Sequence, residues 1–68
     1  MATYALNTYI NDRLDTEVDL GEHASLADAI EYVHDLGPLF DDDGNAVRLN
    51  DAGEATISHR ERVAVEEV

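Results

Sequence analysis

Sixty-eight residues are enough for one domain with a thin core, and a formal net charge of −12, from 16 carboxylates against 4 arginines and no lysine, repels nucleic acid and anionic lipid. The absence of cysteine excludes disulfides, thiolate nucleophiles and thiolate metal sites. Met1–Asn11 has neither the basic start nor the apolar run of a signal peptide, and no stretch approaches the roughly 18 apolar residues of a membrane span, so a cytoplasmic protein is expected.

Tyr4, Leu6, Thr8 and Ile10 alternate with Ala5, Asn7 and Tyr9, which is the period of a strand. Asn11-Asp12-Arg13 is polar and short, as a hairpin turn requires. Leu14, Thr16, Val18 and Leu20 then alternate with Asp15, Glu17 and Asp19. That pattern predicts a second strand with one apolar face and one carboxylate face, ended by Gly21. Ser25, followed by Asp28, suits a helix N-cap, with the Asp28 charge near the positive end of the helix dipole. Leu26, Ala29, Ile30, Val33 and Leu36 recur at helical spacing and form an apolar stripe. At about 100° per residue, Asp28, Glu31 and Asp35 fall nearly opposite it. Gly37 and Pro38 stop the helix.

Asp41 to Asn45 reads as a turn, and Val47 and Leu49 as a third strand. Asn50-Asp51-Ala52-Gly53 reads as a hairpin loop before a fourth strand with Ala55, Ile57 and His59. The tail admits two readings. Val63 and Val65 alternate as in a strand, while Ser58 and Glu61 have the spacing of a helix capping box. β-Branched residues favour the strand. The order β-β-α-β-β, with this fifth strand, predicts a single α+β domain over residues 1–68: a mostly antiparallel sheet with one helix packed on one face.

No arrangement of side chains suits catalysis, so no enzyme activity is expected. Asp41-Asp42-Asp43-Gly44-Asn45 resembles part of a calcium loop, but setting Gly44 at the sixth position puts Leu39 first, where an oxygen ligand is required, and Asn50 twelfth, where a bidentate glutamate is required. A solvated turn accounts for it. His23, His34 and His59 fall on different predicted elements without metal-ligand spacing, and neither a metal nor a cofactor is expected. Ser25 is a cap, and Ser58 adjoins His59 in a strand, where neighbours point to opposite faces. The glycines are isolated, so no phosphate loop exists. A core this small leaves little room for a pocket of about 300 Å³. Glu66-Glu67-Val68 is expected to be a frayed terminus.

The charge is unevenly placed. Residues 12–43 carry a net of −10 and residues 44–68 a net of −2. Asp15, Glu17 and Asp19 are predicted about 6.8 Å apart along one strand face, close to the axial separation of alternate phosphates on DNA, about 6.8 Å at 3.4 Å per strand step. Asp28, Glu31 and Asp35 form a second row on the helix, with steps of roughly 4.5 and 6 Å. Such rows suit the arginine and lysine sites of a nucleic-acid-binding protein. In size, charge and lack of chemistry the chain is similar to the phage inhibitors of restriction and CRISPR systems. That resemblance implies an anti-CRISPR or anti-restriction DNA mimic, with these six residues contacting a basic protein partner. The average surface charge is about threefold more dilute than that of duplex DNA, so mimicry demands clustering. Because the helix covers the apolar sheet face, the two rows are expected on opposite sides. The competing expectation is an accessory domain of a halophilic organism, acidic for solubility alone.

Overall fold

A long N-terminal hairpin organises the fold. In the computed structural model, which describes residues 1–68, β1 (Ala2–Ile10) and β2 (Arg13–His23) pair antiparallel along their length. The turn is tighter than the sequence suggests: Arg13 pairs with Ile10, leaving Asn11 and Asp12 with φ of 52° and 64°. Positive φ at both central positions matches the twist of the strands that they join.

Two irregularities in β2 decide where its side chains go. Register shifts leave Asp15 and Leu20 without partners in β1. At the second, Gly21 takes φ 79° and donates its N–H to the Asp19 carboxylate at 2.9 Å. The strand therefore bends and runs on to His23 instead of ending at Gly21. Each inserted residue reverses the alternation. Leu14 shares a face with Tyr9, whereas Thr16 and Val18 share the other with Thr8 and Leu6. The single apolar face expected of Leu14, Thr16, Val18 and Leu20 is broken. Only Leu20 is buried, and Leu14 and Val18 are more than half exposed.

Helix α1 (Leu26–Leu36) is capped as its sequence predicts, the Ser25 hydroxyl accepting from the Asp28 N–H at 3.2 Å. Leu26, Ala29, Ile30 and Val33 pack towards the sheet. Leu36, expected to complete that stripe, is largely exposed at the helix end.

The segment after the helix departs most from expectation. β3 (Leu39–Phe40) and β4 (Ala46–Val47) form a separate two-stranded ladder around the Asp41–Asn45 turn. The Asp41 carboxylate closes that turn by accepting from Asp43 and Asn45 at 3.0 and 2.9 Å. Leu49 is buried but belongs to no strand, because its N–H goes to the His34 ring at 3.2 Å. A third strand over Val47 and Leu49, hairpinned to the next, therefore does not form. Instead Asn50 folds the loop back, its side-chain oxygen accepting from Ala52 and Glu54 at 2.9 and 3.0 Å.

β5 (Glu54–Thr56) is short, and Ile57 and His59 fall in the turn that follows rather than in the strand. β6 (Glu61–Glu67) lies between β1 and β5, antiparallel to both, giving the order β2-β1-β6-β5. The Val68 N–H bonds to the Thr3 carbonyl at 2.8 Å, so the C-terminus is stitched into the sheet and not frayed. Tyr4, Leu20, Ala29, Val33, Leu49, Val63 and Val65 make the core between α1 and one sheet face. The result is a two-layer α+β domain with a radius of gyration of 11.4 Å.

Candidate acidic surface

Helix α1 covers the sheet face that carries Tyr4, Leu6, Val63 and Val65. Residues of opposite parity make up the other face, on which no element packs. Pairing across the strands sets them in rungs. One rung runs Asp19, Ala5, Glu66, and the next Glu17, Asn7, Ala64, Glu54. A third runs Leu14, Tyr9, Arg62, Thr56, and Glu22 stands opposite Thr3 at the end. With strands about 4.8 Å apart, Asp19 and Glu66 flank Ala5 at a backbone separation of about 9.6 Å, while Glu17 and Asp19 are about 6.8 Å apart along β2. Ala5 and Ala64 are each only 2% exposed although nothing covers the face. Their taller neighbours shield them, so the acidic side chains stand over a closed layer of small residues.

A polar network crosses this layer. Glu66 accepts from the Asn7 amide nitrogen at 3.0 Å and from the Tyr9 hydroxyl. The Arg62 guanidinium lies over the Tyr9 ring, 4.2 Å from its centre. The Glu66 carboxyl is held below its ordinary range, first by the bond from Tyr9 and then by that from Asn7. The Tyr9 phenol is correspondingly raised, chiefly by its hydrogen bond to Glu66 and secondarily by desolvation. Asn7 is 7% exposed, and its Oδ1 has no hydrogen-bond partner.

The six residues singled out from sequence occupy two surfaces. Glu17 and Asp19 lie on the uncovered face; Asp15, exposed, is the inserted residue of a bulge, which interrupts the even row expected on β2. Asp28, Glu31 and Asp35 are exposed on α1, in the other layer. Glu22, Glu54 and Glu66 join Glu17 and Asp19 on the uncovered face without having been read as part of it. Glu66 carried no usable signal, since its position depends on β6 being a central strand. Glu22 has no strand signal in the sequence, because Gly21 has the pattern of a strand end, whereas β2 runs on to His23.

The histidines are dispersed. His23 Nε2 meets the Leu20 carbonyl at 2.8 Å beside the rings of Tyr4 and Tyr32, His34 holds Leu49, and His59 sits in the β5–β6 turn. An open groove of about 340 Å³ runs between α1 and residues 48–51, lined by Glu31, His34, Arg48 and Asp51 among others. No helix is long and apolar enough to cross a membrane. Comparison with protein-family models, with curated proteins and with solved structures finds no match for this chain.

Proposed function

We propose that this chain is a non-enzymatic binding protein whose uncovered sheet face occupies a basic, nucleic-acid-binding surface of a partner protein, as an inhibitor of the anti-CRISPR or anti-restriction type would. The observation that carries this reading is the sharing of one open face by Glu17, Asp19, Glu22, Glu54 and Glu66, with Arg62 as the basic residue among them. Gathered carboxylates steer a basic partner and replace the phosphates that it would otherwise hold. The helix row is the weaker candidate, because it points away from this face.

The test is displacement of labelled duplex DNA from purified restriction and CRISPR effector nucleases. The chain should release the DNA from its target, and the triple reversal Asp15→Lys, Glu17→Lys, Asp19→Lys should abolish release with the fold intact. The matching reversal of Asp28, Glu31 and Asp35 should leave most of it. No release from any such nuclease, or equal loss from both reversals, would remove the proposal.

A second reading is favoured by one observation, that exposed acids occupy both layers. An accessory domain of a salt-loving cell needs acidity everywhere and a partner nowhere. It requires the melting temperature to climb steadily towards molar salt as self-repulsion is screened; a melting temperature indifferent to salt would eliminate it.

A further inference from the structure

We infer that the uncovered face carries a docking point for an arginine side chain of a protein partner, centred on Asn7 between Glu17 and Glu66. The inference rests on the proposed role of this face and adds the group that is recognised. Asn7 is more than nine-tenths buried; its nitrogen donates to Glu66 at 3.0 Å, and its oxygen accepts from nothing. Folded proteins leave few buried acceptors unpaired. Within the chain no donor is given to it: the Arg62 guanidinium on the neighbouring rung lies over the Tyr9 ring. Glu17, directly across in β2, is an acceptor when ionised, Ala5 and Ala64 carry no polar atom, and the Tyr9 hydroxyl is given to Glu66. A donor, from water or from a partner, reaches it only from outside the chain.

Geometry and charge select a guanidinium. The two ends of an amide diverge from one carbon, so the Asn7 oxygen points away from Glu66. Carboxylates at Glu17, Asp19, Glu54 and Glu66 make the surroundings negative. A planar guanidinium reaches an amide oxygen and a carboxylate together, which a point charge does not. A lysine ammonium is a compact, strongly hydrated point charge and gains less there. The chain already places a guanidinium against an aromatic ring on this face, where Arg62 lies over Tyr9. Opening the way to the buried oxygen needs only rotamer changes of surface side chains such as Glu17, because no element packs over this face.

The test compares nona-arginine with nona-lysine, by calorimetry and by the side-chain amide resonances of Asn7 in the full chain. The arginine peptide should bind at least tenfold tighter and shift those resonances. Asn7→Val, which suits a strand and removes the unpaired oxygen together with the donor to Glu66, should erase the preference in a chain that still unfolds cooperatively. Equal affinity for the two peptides, or a preference that survives Asn7→Val, overturns the docking point. So does a shift of the Asn7 resonances by calcium alone, which would make the site one for a metal cation. Should Asn7→Val fail to fold, the resonance shift in the parent chain and its loss in Glu17→Gln decide the matter. Failure of the whole face is distinguishable: Glu17→Gln with Asp19→Asn would then leave binding of both peptides unchanged.

Discussion

The ring of His34 accepts the backbone N–H of Leu49 at 3.2 Å, tying the helix to a buried residue that belongs to no strand. Because that N–H only donates, Nε2 must be the unprotonated nitrogen and Nδ1 carries the proton. The nearby Arg48 guanidinium, 3.3 Å from Nδ1, is then a packing contact and not a donor to the ring. Replacing His34 by Phe keeps the ring and removes the acceptor. The change should cost about 1–3 kcal/mol, the penalty of an unpaired buried amide. A chain of this size loses about 4–8 °C in melting temperature for each kcal/mol. Thermal unfolding measures it, and accelerated hydrogen exchange at the Leu49 amide would locate it.

The bond between Tyr9 and Glu66 predicts two pH limbs. The Glu66 carboxyl is lowered in the fold, so it contributes stability above the unfolded carboxylate value of about 4.3 and loses it as pH falls through its lowered folded value. The Tyr9 phenol is raised above 10.0, so its contribution is present below about 10 and is lost as pH rises through its folded value. Glu66→Gln should flatten the acid limb and return the Tyr9 titration towards the ordinary phenol value of about 10. Both titrations can be followed by tyrosine ring-carbon resonances. A Tyr9 midpoint unmoved in Glu66→Gln would show that the carboxylate is not its cause.

Glycine is required at position 53 for two reasons at once. Its φ is +82°, and a Cβ there would stand 3.2 Å from both the Cβ and the carbonyl oxygen of Val65 and 3.3 Å from a Leu26 methyl. At Gly44, with φ +83°, a Cβ meets nothing within 4 Å. Gly44→Ala should therefore cost about 1–2 kcal/mol from backbone strain alone. Gly53→Ala should cost about 1–3 kcal/mol more, as overpacking does elsewhere. Denaturant midpoints of the two variants, compared at equal slope, test the difference.

The β1–β2 turn leaves room for improvement. Asp12 sits at φ 64° where glycine is the preferred second residue after Asn11. Asp12→Gly should raise stability by about 0.5–1 kcal/mol as the left-handed strain is relieved. The same substitution removes one acid, so the gain should persist at high salt if conformation is its cause and fade if charge is.

Much of this fold is legible in local patterns. The helix announces itself through Ser25, the apolar spacing of Leu26, Ala29, Ile30 and Val33, and the stop at Gly37-Pro38, all of which act within a few residues of one another. The alternation in β1 is equally local. The bulges in β2 are not, since an inserted residue is defined only against a partner strand. Ser58 shows the limit well. Its hydroxyl accepts from Glu61 N–H at 3.2 Å, as a helix cap would, and also from Arg60, yet the chain then enters a strand. One short-range contact serves both structures, and the pairing of β6 with β1 and β5 chooses between them.

By itself the sequence determined the layers, the helix and the excess of negative charge, because periodicity and composition act along the chain. Tertiary structure decided which carboxylates stand together. Inserting β6 between β1 and β5 brought Glu66 and Glu54 onto the face of Glu17 and Asp19, and packing α1 on the opposite face set Asp28, Glu31 and Asp35 apart from them. Side-chain direction reverses with every residue of a strand, so the sharing of a face is a property of register between distant segments and cannot be carried by any one of them.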